Sequence, residues 1–68
     1  MARGRQLKMA VYANGSLQGY IKAINYSTGK FQIIKTLTGA KNYNYDTGAY
    51  DIDYLTKVYG TTYGYVLV

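Results

Sequence analysis

The chain has no histidine, cysteine, tryptophan or proline, and only three acidic residues among its 68. Each absence excludes something. Without cysteine there is no disulfide framework of the kind that holds small secreted domains together. Without cysteine or histidine there is no ligand set for a structural zinc. Both usual staples of a small scaffold are therefore missing, and packing or self-association must supply the difference. Long apolar runs are missing too. No stretch approaches the ~20 residues of a membrane span. Nor does an apolar run follow Met1 to Gln6, so residues 1–6 read as a basic flexible tail, not a signal peptide. Asn14-Gly15-Ser16 and Asn25-Tyr26-Ser27 match the glycosylation triplet, which has no meaning without secretion. The expectation is one small cytoplasmic domain over residues 7–68, because a chain this short supports a single core at most.

Hydropathy alternation outlines the first half. Leu7, Met9 and Val11 fall on one face of a strand over Leu7–Ala13, and Lys8, Ala10 and Tyr12 on the other. Asn14-Gly15 then marks a two-residue hairpin turn, since both positions of a type I′ turn need positive φ. A second strand over Leu17–Tyr26 has the faces Leu17, Gly19, Ile21, Ala23 and Gln18, Tyr20, Lys22, Ile24, Tyr26, with Gly19 a candidate bulge. Ser27-Thr28-Gly29-Lys30 makes the next turn, and Phe31–Thr36 the third strand.

The second half changes character. Thr38 to Tyr43 reads as a turn that sends Ala40 and Tyr43 inward together. Asp46 or Thr47 is suited to cap a helix over Gly48–Tyr59, where Ala49, Ile52, Leu55 and Tyr59 approximate one apolar stripe. Lys57 in the last turn and Gly60 beyond it suit a helix end. The poor helix formers Tyr50, Tyr54 and Val58 keep open a strand pair through Tyr50–Tyr54. Tyr63–Val68 closes as a strand. The order β-β-β-α-β gives a small α+β fold: a three-stranded antiparallel meander plus a C-terminal strand, with one helix packed on one face. Its expected core is Leu7, Met9, Val11, Ile21, Phe31, Ile33, Ile52, Leu55 and part of Tyr65–Val68.

Catalysis needs a proton-transfer group, an activated nucleophile or a metal, and the residue types for these are scarce. The carboxylates are Asp46, Asp51 and Asp53, which read as solvent-facing helix charges plus a cap. On a helix Asp51 and Asp53 point apart. Gly29-Lys30 echoes a phosphate-binding loop, but Phe31 replaces the hydroxyl that such a loop needs. The chain is expected to be no enzyme, with no catalytic residue, no metal site and no cofactor.

Basic charge and tyrosine are what the sequence does supply. Arg3, Arg5, Lys8, Lys22, Lys30, Lys35 and Lys41 precede every acid, whereas the rest of the chain holds all three acids and only Lys57. Arg3, Arg5, Lys8, Tyr12, Tyr20, Lys22, Tyr26 and Lys30, with Gln32 beside them, form a candidate partner face opposite the core. There ammonium groups would meet phosphates and rings would stack on bases. Tyr43, Tyr45, Tyr50 and Tyr54 form a second candidate patch, suited to a protein partner or a homodimer because tyrosine gives large apolar area with few rotors. Ten tyrosines exceed what so small a core can bury.

Ile24-Asn25-Tyr26-Ser27-Thr28-Gly29-Lys30-Phe31, Ala40-Lys41-Asn42-Tyr43 and Asp53-Tyr54-Leu55-Thr56-Lys57-Val58-Tyr59 follow an early hairpin and precede a final aromatic strand. In this the chain resembles short open reading frames from phages and mobile elements of Gram-positive bacteria. The resemblance implies a non-catalytic accessory protein of the anti-CRISPR or anti-defence type, which binds and inhibits a nucleoprotein or protein target such as a CRISPR effector. Many such inhibitors are acidic mimics of DNA, and this chain is basic. Masking of a protein surface, or contact with guide RNA or DNA inside a complex, suits its charge better. Two other readings stand beside it: direct DNA or RNA binding by the Lys/Tyr sheet face, and a small oligomeric structural subunit.

Overall fold

A computed structural model describes residues 6–68. The elements run β1 (Met9–Ala13), β2 (Ser16–Ile24), β3 (Phe31–Ile34), α1 (Tyr45–Tyr59) and β4 (Gly64–Leu67). All strand pairs are antiparallel, in the order β3-β2-β1-β4, so the last strand returns to flank the first. The helix lies on one face. This is the expected α+β architecture, with helix and not strand over residues 50–54. Arg3 and Arg5 of the expected basic face lie outside the described residues.

The meander follows its local signals. Asn14 and Gly15 take φ of 55° and 79°, and Ala13 pairs with Ser16 across the two-residue turn. The β2–β3 loop is held by Asn25, whose side-chain Oδ1 accepts from the backbone N–H groups of Ser27 and Thr28. Gly29, at φ 80°, closes that loop. A Cβ there would lie 2.9 Å from a methyl of Val58, so helix and loop touch at a point only glycine fits. Two irregularities in β2 were not fully foreseen. Gly19 does sit beside a bulge, between Val11 and Tyr12 on the partner strand. A second bulge, at Lys22, shifts the alternation by one residue. Ile24 therefore packs toward the core with Ile21, whereas Ala23 is exposed, the reverse of a simple alternation.

Leu7, Met9, Val11, Ile21, Tyr43 and Leu55 form the buried core, with Phe31, Ile52, Tyr65 and Leu67 packed against it. Ile33 departs from expectation: it is registered opposite Ile21 but lies on the edge strand and stays 40% exposed. Ala10, expected on the solvent side, is buried. β3 ends at Ile34 instead of Thr36, β2 ends at Ile24 instead of Tyr26, and β4 is shorter than Tyr63–Val68.

The helix begins three residues before the expected Gly48. Neither Asp46 nor Thr47 caps it. Asn44 does, accepting from Thr47 N–H at 2.8 Å while the Thr47 hydroxyl accepts from Asn44 N–H at 3.0 Å. The inward stripe is centred on Gly48, Asp51 and Leu55, about one residue round from the expected one, leaving Ala49 exposed. Gly48 admits the β4 side chain of Leu67, whose methyl lies 2.6 Å from where a Cβ would stand.

Two substitutions test this account of the helix in chemical unfolding. Asn44→Ala should cost about 1 kcal/mol through the lost cap. Gly29→Ala should cost about 1–2 kcal/mol, combining an unfavourable φ with the Val58 clash. Equal stability of Gly29→Ala and the parent would contradict the close approach.

Candidate functional site

Two surfaces stand out, one built around Asp51 and one formed by the sheet face that the helix leaves bare. Asp51 is 3% exposed, which corrects its reading as a solvent-facing charge. The Tyr26 hydroxyl lies 2.9 and 2.8 Å from its two carboxylate oxygens, and the Tyr43 hydroxyl donates to Oδ2 at 2.8 Å. Lys41 Nζ stands 3.6 Å from Oδ2, donates to the Tyr26 hydroxyl at 3.2 Å, and lies over the rings of both Tyr26 and Tyr43. A buried carboxylate is tolerated only when paired and hydrogen-bonded, and these three residues meet that requirement.

The tyrosine hydroxyls respond to this setting. Burial pushes the Tyr43 phenol well above its ordinary range, and the hydrogen bond and negative charge of Asp51 add to the shift. Burial also raises Tyr26, with the Lys41 contact opposing and Asp51 reinforcing. Beside the cluster a groove of about 360 Å³ is lined by Tyr26, Lys41, Asn42, Asp46, Thr47 and Tyr50.

The expected tyrosine patch is thereby split. Tyr43 is core, and Tyr54 packs on Tyr26 with ring centroids 5.3 Å apart while donating to the Tyr26 carbonyl at 2.9 Å. Only Tyr45 and Tyr50 remain well exposed. At the other end of the helix Phe31, Tyr59, Tyr63 and Tyr65 form edge-to-face and tilted contacts, and the Tyr59 hydroxyl donates to the Gly29 carbonyl at 2.6 Å. The Tyr65 hydroxyl there is buried without a hydrogen-bond partner, and burial pushes its phenol up to about 12.

The bare sheet face follows from register. Residues paired directly across antiparallel strands share a face. Ala10 with Tyr20 and Val66, Tyr12 with Leu17, and Tyr20 with Ile34 therefore stand opposite the Met9, Val11 and Ile21 core. Tyr12 and Tyr20 are half-buried in this face, and Leu17 and Val66 are about half exposed. Part of the expected Lys/Tyr face is thus present. Tyr26 is not on it, having turned to Asp51. The Lys8 ammonium is engaged by the Ala40 carbonyl and the Asn42 side chain. Lys22 and Lys30 are exposed, as is Lys35, and none has a carboxylate within ion-pair distance among the described residues. Lys30 also borders a concavity of about 550 Å³ with Asn25, Thr28 and Gln32. All three acids sit on α1, on the other side of the sheet.

Sequence reading missed Asp51 and Lys41 as a pair, and missed the apolar members Leu17, Ile34 and Val66 of the open face. The signal for Asp51 was its i,i+4 spacing to Leu55, the most secure inward position of the helix. Comparison with family models, curated proteins and solved structures gives no significant match. No helix among the described residues is long and apolar enough to cross a membrane.

The Asp51 cluster yields a stability prediction. Asp51→Ala should destabilise by about 3 kcal/mol, because it strands the buried Tyr43 hydroxyl and takes the partner from Lys41 and the part-buried Tyr26 hydroxyl. Tyr43→Phe should lose about 1–2 kcal/mol. A double-mutant cycle between Asp51 and Tyr43 that closes to zero would show that the pair does not interact.

The tyrosines also set an alkaline limit. Their folded values lie above the ordinary 10.0, so the fold favours the protonated phenols. That stabilisation is complete below pH 10 and is lost as pH rises through the folded values, that of Tyr65 at about 12. Urea unfolding from neutral pH upward should show stability level until about pH 10 and then falling. Tyr65→Phe should be no less stable than the parent at neutral pH, since it removes a hydroxyl that has no partner.

Proposed function

We propose that the protein is a non-catalytic accessory protein of the phage type, which inhibits a nucleoprotein or protein target such as a CRISPR effector by laying its open sheet face on it. The observation that supports this reading is that face: Leu17 and Val66 stand about half exposed beside the half-buried Tyr12 and Tyr20, on one side of a sheet whose other side carries the helix and every acid. An exposed aromatic and aliphatic surface marks an interaction site more often than it serves the monomer. Lys22 and Lys35 belong to the same half of the sheet and suit a target with a phosphate or carboxylate rim. Turnover is no part of the proposal. The chain has no histidine or cysteine, and its buried carboxylate is already held by Tyr26, Tyr43 and Lys41.

The test is capture of a guide-loaded CRISPR effector by the immobilised protein across a salt series. A stoichiometric complex should persist at moderate salt. Leu17→Glu should weaken it at least tenfold, or about 1.4 kcal/mol, while Tyr45→Ser on the helix should leave it intact. No retention of the effector at any salt would sink the inhibitor reading.

A second reading, direct nucleic-acid binding, is favoured by Lys22, Lys30 and Lys35, which pair with no carboxylate among the described residues, and by the concavity beside Lys30 lined by both polar and apolar side chains. Affinity for bare DNA or RNA should then fall steeply with log salt, and Lys30→Ala should reduce the slope by roughly one phosphate equivalent. A flat salt response would dismiss it.

A further inference from the structure

The outer edge of β4 carries an inference beyond this reading. Lys8 and Val68 exchange both backbone hydrogen bonds, Lys8 N–H to Val68 carbonyl at 2.9 Å and Val68 N–H to Lys8 carbonyl at 2.8 Å. In an antiparallel ladder such mutual pairs occur at every second residue. With Ala10 opposite Val66 and Tyr12 opposite Gly64, the polar groups of Gly64, Val66 and Val68 are directed at β1. Those of Tyr65 and Leu67 are directed outward, where no described strand follows β4.

Sheet edges in soluble proteins are normally blunted by charge, proline or a bulge. The opposite edge has such protection: β3 is flanked by Lys30 and Lys35, and its partner β2 is bulged at Lys22. The β4 edge has none. Thr61 to Val68 contains no charged residue and no proline, and the β1–β4 register runs without a shift.

We infer that β4 pairs antiparallel with β4 of a second copy of this chain about a two-fold axis at Val66, joining two sheets into one of eight strands. The register is set by the free groups. Tyr65 of each copy exchanges hydrogen bonds with Leu67 of the other, which uses all four outward donors and acceptors on each strand. Val66 then faces its own counterpart in the close, non-hydrogen-bonded position, and its side chain is 48% exposed and available for that contact. Gly64 lies opposite Val68 of the other copy and leaves room for it.

Charge favours a second copy as the occupant despite the net +5. Lys22 lies on β2, two strands in from the edge, so β2 and its counterpart would stand about 24 Å apart, five strand spacings and well beyond a Debye length. Lys30 and Lys35 lie farther out still. The Lys8 ammonium is turned to Ala40 and Asn42. Edges without charged side chains thus meet, while Lys22, Lys30 and Lys35 go to the far ends. The pairing also supplies the self-association that a small chain without disulfide or metal has reason to use.

The test combines mass with amide exchange on the full chain, so its outcome is independent of the effector-capture assay. Light scattering should show mass rising from one copy toward two with concentration. Over the same range the Tyr65 and Leu67 amides should slow by about tenfold or more, while the Val66 and Val68 amides, bonded to β1, stay protected throughout. Val66→Lys places two ammonium groups at the axis and should hold the protein monomeric, and Tyr45→Lys on the helix should not. A monomeric mass at every concentration would overturn the inference. So would a dimer in which the Tyr65 and Leu67 amides exchange as fast as in the monomer, since its contact would lie elsewhere.

Discussion

The attachment of the helix to the sheet depends on one carboxylate. Asp51 is carried by α1, but the groups that satisfy it come from two other parts of the chain: Tyr26 from the loop between β2 and β3, and Tyr43 and Lys41 from the segment leading into the helix. Apolar burial alone is non-directional and would let a short helix slide or rotate on the sheet. A buried charge removes that freedom, because any rotation that breaks its hydrogen bonds leaves it uncompensated. Tyr54 and Tyr59 extend the same device along the helix, each donating to a backbone carbonyl of the β2–β3 loop. The tyrosines therefore do the work of the disulfide or zinc that the composition forbids. Each provides a large apolar ring and one directional bond.

This arrangement explains how the surfaces are divided. The helix takes all three acids to one side of the sheet, and Tyr43 and Tyr54 of the expected tyrosine patch are consumed in fixing it, while Tyr45 and Tyr50 stay exposed. The other side retains Tyr12, Leu17, Tyr20 and Val66, with lysines on the β2–β3 half that pair with no carboxylate among the described residues. The Asp51 cluster and the open face thus lie on different sides of the sheet. A partner can engage the open face without disturbing the Asp51 cluster.

Much of the fold was legible in the sequence because its signals are local. Asn14-Gly15 dictates its turn, Leu7, Met9 and Val11 alternate cleanly, and Lys57 with Gly60 ends the helix. What was not legible depended on distant partners. The bulge at Lys22 reverses the facing of everything after it, and nothing in the residues around Lys22 announces that the strand will bend there. The capping box of Asn44 and Thr47 was hidden because threonine stands where glutamate or glutamine is usual. Asp51 read as a surface charge because a stripe drawn through the apolar Ala49, Ile52, Leu55 and Tyr59 passes beside it and carboxylates are ordinarily exposed. The candidate site suffered most, since Tyr26 and Asp51 meet across a large stretch of chain and no spacing rule connects them.

The position of β1 between β2 and β4 has a consequence for the order of folding. Its pairing with β2 closes a two-residue turn, whereas its pairing with β4 must wait until the chain returns from the far side of the helix. Closing the longer loop carries the greater entropic cost, so the meander has reason to form first and β4 to arrive last. Until it does, the Lys8, Ala10 and Tyr12 side of β1 is a bare strand edge, and a nascent chain would pass through a state in which β1, not β4, is open to a stray strand. Lys8, at the entrance to that edge, is the charged residue among those described that is placed to discourage it.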